Sequence, residues 1–169
     1  MIRPIKASDI EAVVTIYNYY ITNTIVSFEE EPVSTKQMKK RVNDVLTIGY
    51  PWLVAEEAGE IIGYAYANQW NVRAAYQYSA EVTVYLSYLN TASLNTARGW
   101  GTKLYEALFT RLKEMSVHTV IGGISLPNPA SVALHEKFAM TKVAHYKEVG
   151  YKYNKWIDVG YWQGKLQNE

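Results

Sequence analysis

Apolar positions recur along this chain with two periods, near 3.6 and near 2, and each change of period marks an element. Residues 2–5 read as a short first strand. Behind Ser8-x-x-Glu11, a capping-box spacing, Ile10, Val13, Val14, Tyr17 and Ile21 fall on one helical face. Ser34-x-x-Gln37 opens a second helix with Met38, Val42 and Val45 inward. Residues 52–57 and 60–70 are strands joined at Ala58-Gly59, a hairpin turn. The β-branched alternation of residues 81–87 predicts a further strand. Gly101, Leu104, Tyr105, Leu108, Leu112 and Met115 then recur at helical spacing. Residues 119–126 form a strand with Gly122-Gly123 at its middle, where glycines mark a bulge or a close backbone approach. Asn128-Pro129, an N-cap followed by proline at the first helical position, opens a helix reaching Lys137. Residues 141–149 and 156–162 are closing strands. The order is β-α-α-β-β-β-α-β-α-β-β, which makes one α/β (α+β) domain over 1–169.

The totals narrow the function. The chain of 169 residues carries a net charge of +1, which argues against bulk nucleic-acid or membrane-surface binding. It has no cysteine, so disulfides, zinc ribbons and thiol catalysis drop out together, and no metal is expected. No signal peptide and no apolar run of membrane-span length is seen, which predicts a cytoplasmic protein. Fifteen tyrosines and five tryptophans suit a pocket or a subunit interface as well as a core.

The chemistry concentrates in residues 81–105. A strand, then Arg98-Gly99-Trp100-Gly101-Thr102, then a helix start is an arrangement that holds an anion. Glycines let backbone N–H groups come close, and the helix N-terminus adds positive potential. Alternation places Glu81, Thr83 and Tyr85 on one face of the strand and Val82, Val84 and Leu86 on the other. The loop before the turn holds a near-tandem copy, Leu89-Asn90-Thr91-Ala92-Ser93 followed by Leu94-Asn95-Thr96-Ala97. No Gly-x-x-x-x-Gly-Lys-Ser/Thr pattern is present, which sets a P-loop nucleotide-binding protein aside.

Tyr50-Pro51-Trp52-Leu53-Val54-Ala55-Glu56, Arg73-x-Ala75-Tyr76, Glu81-x-Thr83-Val84-Tyr85, Leu126-Pro127-Asn128-x-x-Ser131-Val132-x-Leu134-His135-Glu136 and Trp156-x-Asp158-Val159-Gly160-Tyr161-Trp162-Gln163 appear in order over nearly the whole length. Together they resemble the GNAT superfamily of N-acetyltransferases, in its phosphinothricin and methionine sulfoximine acetyltransferase branch. The resemblance implies a mixed, mostly antiparallel sheet flanked by helices. It also implies acetyl-CoA as co-substrate, a small amine or amino acid as acceptor, and a homodimer. Two departures stand out. Thr96 holds the place of the family's Gln/Arg, with Arg98 two residues later, and one LNTAS unit lengthens the preceding loop. The extra unit is expected to bulge outward and leave the phosphate cradle intact.

The resemblance also distributes roles. Residues 98–102 (Arg98, Gly99, Trp100, Gly101, Thr102) hold the pyrophosphate through backbone N–H groups. Val84 and Leu86 hydrogen-bond the pantetheine arm through their backbone, and a backbone N–H near Tyr85 meets the oxyanion. Asn128 and Ser131 touch the cofactor. Glu81 is the general base, and burial raises its affinity for a proton. His135 donates to the thiolate or helps relay the amine proton. Arg73, with Tyr76, grips a carboxylate or phosphinate, and Phe28 and Thr83 complete the acceptor pocket. Asn71 stands where the branch often has a basic residue, which weakens phosphinothricin itself as substrate. A catalytically weak acyl-CoA-binding module, or an acetyltransferase for another small amine, is the competing reading.

Overall fold

The computed structural model describes residues 1–88 and 99–166. The duplicated loop and Arg98 lie outside these described residues. Seven strands form one sheet: β1 (Ile2–Pro4), β2 (Trp52–Glu57), β3 (Glu60–Gln69), β4 (Ser79–Leu86), β5 (Thr119–Leu126), β6 (Thr141–Lys152) and β7 (Lys155–Lys165). The described α-helices are α1 (Ile10–Asn23), α2 (Thr35–Thr47), α3 (Trp100–Glu114) and α4 (Pro129–Lys137). Sheet order is β1-β2-β3-β4-β5-β7-β6, antiparallel throughout except for the parallel pair β4–β5.

Each face of the sheet has its own helices. Tyr17 and Tyr20 of α1 meet the ring of Tyr85, so α1 covers the odd-numbered face of β4. Leu104 of α3 lies over Gly63 together with Leu86, so α3 covers the even-numbered face. A Cβ on Gly63 would sit 2.6 Å from the Leu86 side chain, and that missing side chain lets α3 settle onto the sheet. Val13, Val54, Tyr64, Leu104, Leu108 and Leu112 are among the most deeply buried side chains. Burying residues of this size stabilises by about 1.5–3 kcal/mol each.

β4 and β5 pair only at their starts, where Ser79, Ala80 and Glu81 face Thr119, Val120 and Ile121. β4 keeps pairing with β3 as far as Leu86, and β5 with β7 as far as Leu126. Two halves of the sheet therefore diverge from a common root. The fork leaves the facing backbone edges of residues 82–86 and 122–126 without partners in each other, free for a strand-like ligand.

Local signals mostly act where the residues place them. Ser34 caps α2 through its Oγ, which accepts from Gln37 N, and the Gln37 side chain accepts from Ser34 N. Ala58 and Gly59 both take positive φ, as a two-residue hairpin turn requires. The Ser8-x-x-Glu11 box does not form. Residues Ala7–Asp9 make a 3-10 turn instead, and the Asp9 carboxylate accepts from Lys6 N at 2.7 Å. Asp9 also pairs with Arg3, outside the spacing of the box, and these bonds replace the serine cap. The closing strands run longer than expected because the turn between them is Tyr153-Asn154, both at positive φ. Gly150 lies inside β6, under the ring of Phe28. At Gly122-Gly123 the β5–β7 register is unbroken, so these glycines serve close approach rather than a bulge.

Candidate active site

The fork opens to two cavities. The larger, about 670 Å³, lies on the α1 face. Its walls include Phe28, Trp70, Glu81, Ser125, Tyr146 and Tyr161. Trp70 and Tyr161 meet edge to face at 5.7 Å. The smaller, about 60 Å³, fills the fork itself, between Thr83, Val84 and Tyr85 on one side and Gly123, Ile124 and Ser125 on the other. Tyr105, Asn128, Ser131 and His135 close it from the α3 and α4 side.

Glu81 stands at the root of the fork, paired in register with Ile121, and looks into the larger cavity. It makes no hydrogen bond or ion pair among the described residues, and burial alone raises its pKa above the usual carboxylate value. Two residues on, Thr83 stands opposite Tyr66, whose phenol burial pushes up to a pKa of about 12 against a smaller opposing effect of Thr83. The half-buried Tyr85 side chain packs among Tyr17, Tyr20 and Tyr64, with ring centroids 5.1–5.5 Å away. Only the backbone of Tyr85 is thus left to act at the fork edge.

His135 has a different setting. It is 3% exposed and lies on the opposite face, against Gly122, where a Cβ would come within 2.3 Å of Nε2. Its Nδ1 donates to Ser131 O at 2.7 Å. Nε2, left without a proton in that tautomer, accepts from the Tyr105 phenol at 3.1 Å. Burial lowers the imidazole pKa and keeps it neutral, against a smaller opposing effect of the Ser131 carbonyl. Both nitrogens are therefore engaged, and no imidazole proton points at the fork.

At the other end of the fork, α3 begins at Gly99 with φ +71°, a left-handed conformation that glycine adopts without strain. Lys103 N closes the first helical turn onto Gly99 O, which leaves the N–H groups of Trp100, Gly101 and Thr102 without intrahelical acceptors. No acidic side chain lies in this first turn. Lys137 Nζ reaches in from the end of α4 to Thr102 Oγ1 at 3.3 Å, and Lys103 Nζ lies over the Trp100 ring at 4.4 Å. Cations beside a helix N-terminus oppose its dipole unless an anion joins them, so this corner suits a phosphate. Gly101 has a second task, since a Cβ there would press on Leu134 of α4 at 3.3 Å.

The structure sorts the remaining expected residues. Asn128 caps α4, its Oδ1 accepting from Ser131 N at 3.1 Å, and it lines the fork as well. Phe28 lines the larger cavity, edge against Gly150. The segment carrying it is pinned by Lys152, whose buried Nζ donates to Ile21 O and Ser27 O at 2.7 Å each. Arg73 precedes and Tyr76 ends the exposed 3-10 turn Ala74–Tyr76, and they border neither cavity. Trp70, Tyr161, Ser125 and Lys137 were missed in the sequence reading. Alternation along β5 and β7 places Ser125 and Tyr161 on the Glu81 face, but only the register shows which face that is.

Comparison with known proteins agrees with this architecture. The acetyltransferase (GNAT) domain family matches residues 2–160. Phosphinothricin N-acetyltransferase of Streptomyces viridochromogenes is 38% identical over 164 residues, which cover 96% of this chain and 85% of that protein. L-methionine sulfoximine/L-methionine sulfone acetyltransferase of Salmonella typhimurium is 29% identical, over 98% of this chain and 94% of its own. The crystal structure of a GNAT phosphinothricin acetyltransferase from Sinorhizobium meliloti with acetyl-CoA superposes with a TM-score of 0.91 at 30% identity, over 98% of this chain and 88% of that one. Among the described residues, no cluster of potential metal ligands is present and no helix is long and apolar enough to cross a membrane. By fold, by forked sheet and by sequence, this chain belongs to the GNAT family of acetyl-CoA-dependent N-acetyltransferases.

Proposed function

We propose that this protein moves the acetyl group of acetyl-CoA to the α-amine of a small amino acid or analogue, of the phosphinothricin or methionine sulfoximine and sulfone class, by direct attack in a ternary complex. One observation carries this reading: Glu81, without a hydrogen-bond or ion-pair partner among the described residues and with a raised pKa, faces an aromatic cavity at the root of the fork. A carboxylate so placed takes a proton from an ammonium group more readily than a solvated one. The names of the relatives support the acceptor class.

In this assignment Gly99, Trp100, Gly101 and Thr102 hold the pyrophosphate, with Lys137 adding charge. The Arg98 part of that site lies outside the described residues. The backbone edge at Val84 and Leu86 aligns the pantetheine arm, and the Tyr85 N–H receives the carbonyl oxygen. Asn128 and Ser131 border the arm near its thioester end. Phe28 shapes the acceptor pocket and Thr83 the fork beside it, whereas Arg73 and Tyr76, which border neither cavity, take no part in this assignment. His135 holds Tyr105 and the fork in place. The hairpin β6–β7 presents Tyr146, Tyr151, Tyr153 and Trp156, the last 63% exposed, which suits a homodimer interface in a cytoplasmic enzyme.

Incubation with acetyl-CoA and a panel of amino acids and analogues, followed by free thiol release, tests the reading. Turnover with phosphinothricin, methionine sulfoximine or methionine sulfone is expected. CoA binding without turnover of any amine would remove it. Light scattering tests the dimer, and a monomer at micromolar concentration removes that assignment.

A further inference from the structure

The two cavities share three residues, Val26, Gly123 and Ser125. Val26 offers methyl groups and Gly123 no side chain, so Ser125 Oγ is the side-chain polar atom common to both. Ser125 is 8% exposed, and its hydroxyl finds no hydrogen-bond partner among the described residues. A buried hydroxyl left unpaired costs about 1–3 kcal/mol. Leu126 and Ile124 flank it on a strand that is apolar from Val120 onward but for this serine, so a smaller apolar residue would fill the site without that cost. The position points to a partner that arrives with the substrates.

The geometry of the fork narrows what that partner is. Acetyl transfer occurs where the thioester, held in the fork, meets the amine in the larger cavity, and that junction is where Ser125 stands. Two protons must leave the ammonium form of the acceptor. Glu81 is placed for the first. The second must reach the departing sulfur, and the titratable pair His135 and Tyr105 on the wall of the fork has little to offer it. His135 Nε2 is an acceptor already occupied, and the Tyr105 hydroxyl is committed to it. Burial raises the Tyr105 pKa far above its ordinary value, which makes it a poor acid.

We propose that Ser125 is a catalytic residue that carries the second proton from the attacking amine to the leaving sulfur. The amine nitrogen bonds to the thioester carbon and the C–S bond breaks. Ser125 Oγ accepts the nitrogen's second proton as its own hydroxyl proton passes to the sulfur. Serine ends in its starting state, the products are an amide and a free thiol, and the first proton leaves through Glu81 to water. This assignment rests on the acetyltransfer reading above, and it adds a group that handles the sulfur's proton without drawing on His135.

The test is the single-turnover rate of acetyl transfer in Ser125→Ala and Ser125→Thr, with calorimetric CoA binding as a check on the fold. A fall of roughly 10²-fold in Ser125→Ala is expected, at the low end of general acid–base contributions. Both KM values should stay within about twofold, as for an interaction made only in the transition state. Ser125→Thr keeps a hydroxyl and should recover most of the rate. A Ser125→Ala rate within about threefold of the parent overturns the proposal. So does a raised KM for the amino acid with the rate intact, which would make the hydroxyl a binding group only. A parent inactive on every amine removes this assignment together with the acetyltransfer reading, whereas an active parent with an unchanged Ser125→Ala variant removes this one alone.

Discussion

Glu81 and His135 are the two titratable side chains that the sequence nominates most directly for proton transfer, and the fold treats them in opposite ways. Glu81 lies on the α1 face, unpaired among the described residues, beside a cavity of about 670 Å³. His135 lies on the α4 face, 3% exposed, with one nitrogen on a backbone carbonyl and the other on a phenol. Burial acts on both, yet it raises the pKa of the acid and lowers that of the base, since it disfavours whichever form is charged. What separates them is hydrogen bonding. A group with its bonding capacity spent is held in one state, whereas a group with none spent can change state when a substrate arrives. In the proposed assignment, the carboxylate is therefore the proton acceptor and the saturated imidazole positions Tyr105 and the fork.

The largest effect that tests this contrast is expected from Glu81→Gln. Turnover should fall by roughly 10²–10⁴-fold, most steeply below the optimum pH, and the limb of the pH–rate profile that belongs to the carboxylate should vanish. The same variant should gain stability at neutral pH. The raised folded pKa of Glu81 means that the folded protein keeps its proton to higher pH than the unfolded chain. Its contribution is thus fully present below about pH 4.3 and is lost as pH rises through the folded pKa. Thermal melts at pH 4 and pH 8 check this, and equal shifts at both would contradict it.

Gly122→Ala attacks the other side of the comparison. Its Cβ would come within 2.3 Å of His135 Nε2, so the ring must move, at a cost of about 1–3 kcal/mol in denaturant unfolding. The Glu81 limb of the pH–rate profile should survive in this variant. Its disappearance would show that the two faces are coupled through the sheet.

His135→Asn leaves the Tyr105 hydroxyl without its acceptor and should cost about 1–3 kcal/mol, with a smaller loss of turnover than Glu81→Gln. The lowered pKa of His135 also predicts acid sensitivity in the parent. Below about pH 6.5 the unfolded histidine binds a proton that the folded one refuses, so stability declines as pH falls, down to the folded pKa. Urea midpoints between pH 7 and pH 5 should fall less in His135→Asn than in the parent. A loss of turnover as deep as that of Glu81→Gln would return His135 to the chemistry.

Asn128→Ala should have the smallest effect, about 1 kcal/mol from loss of the α4 cap. Melting temperature reads it directly. If acetyl-CoA KM rises as well, Asn128 bonds the cofactor in addition to capping the helix.

Much of this molecule could be read from short-range pattern. Ser34-x-x-Gln37, Ala58-Gly59 and Asn128-Pro129 place a cap, a turn and a helix start through contacts within three residues of themselves, and all three act where they stand. Ser8-x-x-Glu11 has the same local spacing and fails, because Arg3 and Lys6 bring Asp9 into a different set of bonds. Alternation along β4 separates Glu81, Thr83 and Tyr85 from Val82, Val84 and Leu86 without any structure. It does not say which face meets which helix.

By itself, then, the sequence determined the elements, their order, the family, and the carboxylate at the root of β4. These depend on periodicity and on neighbours a few residues apart. Tertiary structure alone decided that β4 and β5 part after three pairs, and that Tyr105 and the Ser131 carbonyl engage both nitrogens of His135 at the wall of the fork. It also decided that Ser125 stands where two cavities join, while Arg73 does not reach either. Each of these depends on groups far apart in the chain, and hydrogen-bond saturation and burial exist only once those groups have met.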